Sequence, residues 1–210
     1  MNQYHKIQTV FLRNPDDNYK SLLEGQFAKP EFEYLKDNIW VWTEKIDGTN
    51  IRIIWNGNKV SIKGKTDRAN IPQHLLYKLE KIFSSANLYN TFEDTEICLY
   101  GEGYGFKIQK GSNYIQNDVN FILFDVKVGD IWLKRDTVED IGKSLGVDVV
   151  PIIGKGTLQE AIELTRKGFA STISQNKEYI AEGLICKPEV DLIDRGGNRV
   201  ITKIKHKDFN

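Results

Sequence analysis

Lys45-Ile46-Asp47-Gly48-Thr49-Asn50 decides how this chain is read. Upstream, Trp40 and Trp42 alternate with more polar neighbours. Downstream, Ile51, Ile53 and Trp55 do the same, the period-two pattern of strands with one buried face. Asn56-Gly57 is a tight-turn dipeptide, and Val60 and Ile62 continue the alternation beyond it. Residues 39–63 are therefore expected to form a hairpin, with Lys45 where the first strand gives way to the Asp-Gly turn. Taken alone, Lys45 is a solvated strand-end lysine and Asp47-Gly48 an ordinary turn. Three downstream elements, in a fixed order, change that: Glu102 in a Gly101-Glu102-Gly103 turn, then Glu182-Gly183, then the pair Lys203 and Lys205.

The rest of the chain reads as alternating helices and strands. Leu75, Leu76, Leu79, Ile82 and Phe83 form a helical stripe after Pro72. Residues 96–101 and 119–128 read as buried strands. Asp136 to Leu145 reads as a helix, with Asp136 as its cap and Gly146 as its stop. Thr157-Leu158-Gln159-Glu160 fits a capping box opening a helix that ends near Gly168. Residues 179–187 and 199–205 are expected to be closing strands. The class is α+β, mostly antiparallel sheets with flanking helices.

At 210 residues the chain is expected to be one domain with a real core. Its 29 basic and 29 acidic residues cancel, so any nucleic-acid site must be a local patch. Cys98 and Cys186 lie in no Cys or His cluster, which argues against a zinc site or a disulfide framework and for a reducing, cytoplasmic setting. His5, His74 and His206 are isolated and show no ligand spacing. The start Met1-Asn2-Gln3-Tyr4-His5-Lys6 is polar, unlike a signal peptide, and no apolar run is long enough to span a membrane.

The ordered residues suit one chemistry. A lysine attacks only when neutral, and with an ordinary pKa near ~10.4 it needs help from desolvation, cationic neighbours or a metal. Lys203 and Lys205, two apart, share a strand face and can both aim at one α-phosphate if the last strand returns to the first. Glu102 can accept a hydrogen bond from a sugar hydroxyl, and Glu182 can hold a divalent ion through water. Phe124 can stack on a base. Each has a plainer role when taken singly: a loop acid, a core phenylalanine, an exposed edge strand. Gly101-x-Gly103-x-Gly105 is not a dinucleotide fingerprint, since no helix clearly follows it.

These residues resemble the covalent nucleotidyltransferase superfamily of ATP-dependent ligases and capping enzymes, and more closely its RNA ligase 2 family of phage-type nick-sealing enzymes. Glu44-Lys45-Ile46-Asp47-Gly48-Thr49-Asn50 matches nucleotidyl motif I, Tyr100-Gly101-Glu102-Gly103 motif III and Phe124-Asp125 motif IIIa. Ala181-Glu182-Gly183-Leu184-Ile185-Cys186-Lys187-Pro188 matches motif IV. Gly197-Asn198-Arg199-Val200, leading to Lys203-Ile204-Lys205, matches motif V, and Ile108-Gln109-Lys110 also looks like the family.

The resemblance implies an ATP-grasp-like nucleotidyltransferase fold using ATP with Mg2+ or Mn2+. Lys45 would carry AMP, with Glu44 near the adenine edge, Phe124 stacked on the base and Glu102 on the ribose. Glu182 would organise the metal, and Lys203 and Lys205 would contact the α-phosphate. Lys187 would touch nucleotide or end phosphates, and Asn50 and Gln109 the RNA ends. The family's Arg-Thr pair is here Lys65-Thr66, with Arg68 nearby to take over part of the arginine's work.

On this resemblance the chain is expected to join RNA 3′-hydroxyl and 5′-phosphate ends through a lysyl-AMP intermediate. A DNA ligase or GTP-dependent capping enzyme, and a non-catalytic end-binding module, remain the alternatives. Residues 1–210 are expected to be the adenylyltransferase domain alone, with no oligonucleotide-binding domain after Lys205 and a partner protein able to supply substrate binding.

Overall fold

A computed structural model describes residues 3–109 and 111–210. Lys110, which the sequence joins to Ile108 and Gln109, lies outside the described residues, as do Met1 and Asn2. In chain order the elements are β1 (Gln8–Thr9), β2 (Phe11–Arg13), β3 (Leu22–Phe27), α1 (Pro30–Tyr34), β4 (Trp40–Lys45), β5 (Thr49–Trp55), β6 (Val60–Gly64), α2 (Gln73–Ile82), α3 (Ser85–Phe92), β7 (Ile97–Gly105), β8 (Val119–Val128), β9 (Ile131–Trp132), α4 (Arg135–Leu145), β10 (Asp148–Val149), β11 (Ile152–Gly156), α5 (Leu158–Lys167), β12 (Gly183–Pro188) and β13 (Thr202–Lys205). They fall into two compact bodies, both α+β.

The first body comprises His5–Ile46, Pro151–Ile173 and Lys177–Asn210. Its five-stranded sheet runs β1-β13-β12-β4-β11, antiparallel except for the β1/β13 pair. Period-two alternation sends Trp40 and Trp42 of β4, Leu184 and Cys186 of β12 and Ile204 of β13 into one apolar cluster with Leu158, Ala161 and Ile162 of α5. Each leucine and isoleucine among them contributes about 1.5–3 kcal/mol by leaving water. The predicted capping box opens α5. Thr157 Oγ1 accepts from the Glu160 N–H at 3.2 Å, and the Glu160 carboxylate accepts from the Thr157 N–H at 2.7 Å.

The second body is built on Asp47–Val150, joined by residues 3–4 and by Ser174–Asn176. Its sheet runs β10-β8-β7-β5-β6, with β9 added on β8. Ile51, Ile53 and Trp55 of β5, Leu99 of β7 and Phe121 and Leu123 of β8 pack against Leu75 and Leu79 of α2 and Val138 of α4. Gly146 ends α4 in a left-handed conformation, as expected, but the cap is Lys134, and Asp136 lies inside the first turn.

Three expectations change. The hairpin is real only for β5 and β6, around Asn56-Gly57. The strand carrying Trp40 and Trp42 pairs with β12 and β11 instead, because its aromatic face is claimed by α5. Gly101-Glu102-Gly103 is not a turn but the middle of β7. The glycines are there for space: a Cβ at Gly101 would strike the Phe121 ring, and one at Gly103 would come within 2.5 Å of Leu75. The last two strands are shorter than predicted, β12 starting at Gly183 and β13 at Thr202. Among the described residues no helix is long and apolar enough to cross a membrane.

Candidate active site

In the first body, Lys45 ends β4, Gly183 begins β12 and Lys205 ends β13, and the three lie in one cross-strand row. Glu182 lies directly before that row. Its Oε2 accepts from Lys45 Nζ at 2.5 Å and its Oε1 from Lys205 Nζ at 2.7 Å. In a regular strand Glu182 would share a face with Leu184, which is buried in the core. Gly183 breaks that alternation. Its φ of +150° is open to glycine, and a Cβ there would collide with the Ile204 carbonyl of β13. The main chain is held as well, the Glu182 carbonyl accepting from the His206 N–H at 2.9 Å.

Two residues along β13, Lys203 is paired with Ile185 and Thr9 and shares the face of Lys205. Lys187 of β12 lies on that face too, opposite Val41. One side of the sheet thus carries Lys45 and Lys205 at the Glu182 carboxylate with Lys187 and Lys203 further along, and the other carries the apolar core.

Burial alone would push the Glu182 carboxyl up. The Lys45 and Lys205 ammoniums outweigh it and hold the group below its ordinary 4.5. A depressed carboxyl stabilises the fold fully above its unfolded value and loses that contribution as pH falls through the folded one. Glu182→Gln cannot titrate. It should lower the thermal midpoint at neutral pH and make the acid side of the midpoint-versus-pH curve less steep. An acid limb unchanged in the variant would place that transition in other groups.

Glu44 is turned away from this site. It is 1% exposed and lies on the core face of β4, opposite to Lys45. Its oxygens accept from Ser171 Oγ at 2.5 Å and from Thr172 N and Oγ1 at 2.9 and 2.7 Å. The Glu44 carboxylate, expected at the adenine edge, ties Ser171-Thr172 to β4 in this structure.

In the second body, Asn50 of β5 faces Glu102 of β7 across the ladder, on the side of the sheet away from the core. Gly48 lies against this pair so closely that a Cβ would strike the Gly103 carbonyl and come within 2.8 Å of Glu102 Cγ. The Asp47 N–H donates to the Tyr114 hydroxyl at 3.0 Å. Asn50 Oδ1 is buried with no hydrogen-bond partner, an acceptor of the kind that a ligand satisfies. Phe124 is the extra residue of a β-bulge: Tyr100 pairs with Asp125 and Gly101 with Leu123, leaving Phe124 without a partner on β7. Bulges re-aim side chains beside active sites.

Lys65 and Arg68 are exposed on the loop after β6, and Gln109 is exposed after β7 with φ +50°, pinned by buried Ile108. All three stand outside the ladder that pairs Asn50 with Glu102.

Two residues of the second body escape sequence analysis. Arg52, 1% exposed, donates from Nε to the Gly64 carbonyl at 3.0 Å and from a terminal nitrogen to Asp67 at 2.7 Å, anchoring the loop that carries Lys65 and Arg68. In the alternation it reads as a solvent-facing strand position. Tyr4, in a segment without periodicity, packs on Phe124.

The donor set fits a hydrated divalent ion and not a protein cage. Among the described residues no group of three or more His, Cys, Asp or Glu is placed to hold a metal, and the Glu182 oxygens are both engaged by lysines. Magnesium keeps several waters and needs only one or two carboxylates beside phosphate oxygens.

Solved structures of Naegleria gruberi RNA ligase share the fold. A mutant with ATP and Mn matches at a TM-score of 0.68 and 17% identity, over 98% of this chain and 56% of that one. A second mutant with ATP and Mn gives 0.66 and 19%, over 99% and 64%. The protein with PPi gives 0.65 and 18%, over 98% and 56%. The chain thus spans between 56% and 64% of the length of these structures. The RNA ligase family model matches residues 38–205, from before the Lys45 strand through Lys205, and this chain belongs to that family.

Proposed function

We propose that the chain is the adenylyltransferase domain of an ATP-dependent RNA ligase, which joins RNA ends through lysyl-AMP. The observation that carries this is the single carboxylate of Glu182 bonded at once to Lys45 and Lys205. An ion pair serving stability alone needs one lysine. Two lysines on one acid, with Lys203 and Lys187 on the same face, make a site for a polyanion whose α-phosphate meets Lys45.

Lys45 Nζ attacks the α-phosphorus of ATP, the bond to the β-phosphate oxygen breaks, and pyrophosphate leaves. An RNA 5′-phosphate oxygen then attacks the same phosphorus, the N–P bond breaks, and the RNA carries a 5′–5′ pyrophosphate-linked AMP. A 3′-hydroxyl finally attacks the RNA phosphorus and AMP leaves. The first attack needs the lone pair of Lys45 Nζ. When triphosphate draws Lys205 toward itself, Glu182 loses part of what depresses its carboxyl and becomes a better acceptor for the Lys45 proton. Glu182 would hold a divalent ion, which would supply charge neutralisation on the phosphates. The Naegleria structures with ATP or AMP and Mn support this choice of cofactor.

In this proposal Lys203 and Lys205 stabilise charge at the α-phosphate, and Lys187 binds nucleotide or end phosphates. Glu102 binds the ribose and Phe124 the base. Asn50 and Gln109 serve the RNA ends, and Lys65 with Arg68 the phosphates. Residues 1–210 are proposed to act as one nucleotidyltransferase domain, as the family match running through both bodies supports. Cytoplasmic action is supported by the buried free thiols of Cys98 and Cys186.

The test is incubation with labelled ATP and, separately, GTP, each with magnesium, followed by denaturing electrophoresis. Label from ATP alone is expected, and label from GTP alone would assign a capping-type enzyme. With a formal net charge of +0, the chain should bind RNA only through a local patch. Sealing of 5′-phosphate nicks should therefore fall steeply between about 50 and 200 mM salt, while sealing of pre-adenylylated ends holds up better. Nick sealing that is equally fast and salt-insensitive would show a substrate grip of another kind, and a partner protein that holds the duplex should restore it.

A further inference from the structure

We propose that Tyr4 is a positioning residue for the nucleobase: it fixes the Phe124 ring on its bulge and so sets the affinity for ATP. This rests on the reading of Phe124 as the surface on which the base stacks. The contacts are all within the second body. The Tyr4 hydroxyl donates to Asp125 Oδ2 at 2.5 Å. Its ring meets Phe124 edge-on, with centroids 5.1 Å apart and planes at 79°. It also touches Tyr100 at 5.2 Å and Trp132 at 5.5 Å, and those two rings touch each other at 5.3 Å.

Phe124 needs such a support. As the bulged residue it lacks a cross-strand neighbour on β7, the usual restraint on a strand side chain, and it is only half-buried. Asp125 by contrast is 3% exposed and Tyr100 1% exposed, so the hydroxyl and one side of the Tyr4 ring are tied to buried, paired positions of the sheet. Tyr4 thus spans from the buried, paired Asp125 to the adjacent bulged residue, Phe124. A perpendicular contact takes at most one face of the Phe124 ring and leaves the other for a base. Burial pushes the Tyr100 hydroxyl up, so that neighbour stays neutral at working pH. None of these rings lies in the body that carries Lys45, so the effect should fall on binding and not on the transfer step.

The experiment measures ATP binding by calorimetry in a Lys45→Ala background, where no transfer occurs, and adenylylation rates with Lys45 present. Tyr4→Ala should raise the Kd and KM for ATP roughly threefold to tenfold, the range an aromatic pair supports. The rate at saturating ATP should stay within about twofold. Tyr4→Phe keeps the ring and should recover most of the affinity. Tyr4→Leu keeps apolar volume without a ring, and should behave like Tyr4→Ala even if the alanine variant folds poorly. Phe124→Ala is the control. If it weakens ATP binding while Tyr4→Ala and Tyr4→Leu do not, Tyr4 has no positioning role. A lower rate at saturating ATP with unchanged Kd likewise overturns the proposal. If Phe124→Ala itself leaves the Kd unchanged, it is the base-stacking role of Phe124 that fails.

Discussion

Lys45→Ala will take up no AMP from labelled ATP, and mass spectrometry of the unaltered chain will find a single AMP on Lys45. The side chain ends β4 with its Nζ 2.5 Å from Glu182 and is 20% exposed, reachable by a nucleotide yet fixed in direction. The other lysines of that face belong to β11, β12 and β13, and among the described residues no other lysine shares the cross-strand row of Gly183 and Lys205. The adduct should be labile in acid and stable to neutral hydroxylamine, as a P–N bond is and an acyl phosphate is not. Lys45→Arg should be as inactive as alanine, because a guanidinium keeps the charge but never frees a lone pair. The two variants should part in stability. Alanine leaves Glu182 with Lys205 alone, whereas arginine keeps two cations near it, so the thermal midpoint should fall further in the alanine variant. An undiminished adduct in Lys45→Ala would move the nucleophile to another lysine and dissolve the proposed chemistry.

The sequence singles out the residues of the candidate site better than it does the architecture. Lys45, Glu182 and Lys205 stand out in it although 137 residues separate the first two in the chain, and the structure joins them through one carboxylate. Order along the chain carries that information, since strand alternation fixes which side chains share a face once the strands pair. What alternation cannot supply is the partner strand. Trp40 and Trp42 read equally well as half of a hairpin with β5, and the cluster that takes their face is completed by α5, more than a hundred residues on. Glu44 shows the same limit at one residue. A carboxylate beside a nucleophile looks functional, but it lies one position out of phase with Lys45, and Ser171 and Thr172 hold it on the core side. Gly101-Glu102-Gly103 misleads because glycines signal turns. Here they mark where Phe121 and Leu75 leave no room for a Cβ. Arg52 and Tyr4 give no signal, since each acts through contacts that its own neighbourhood in the sequence does not encode.

Lys205→Ala and Lys203→Ala should each slow adenylylation by about 10²–10³, the usual cost of removing a fixed charge from a developing anion. The two lysines reach that effect from different positions. Lys205 stands in the same row as Lys45 and shares its carboxylate, so removing it strips one cation from Glu182 and leaves Lys45 as the sole partner. Its loss should weaken both transfer and the acid-side stability that Glu182 supplies. Lys203 lies two rows further along β13, roughly 6.6 Å at two residues of strand rise, between Thr9 and Ile185. Its removal leaves the Glu182 pairs untouched, so Lys203→Ala should lose rate with little change in the acid limb of the stability curve. Single-turnover adenylylation at saturating ATP, set beside thermal midpoints across pH, separates the two behaviours. Near-normal rates in both variants would mean that β13 presents its lysines to something other than the α-phosphate. Equal losses of rate and of acid-side stability in both would mean that Lys203 acts through Glu182 after all.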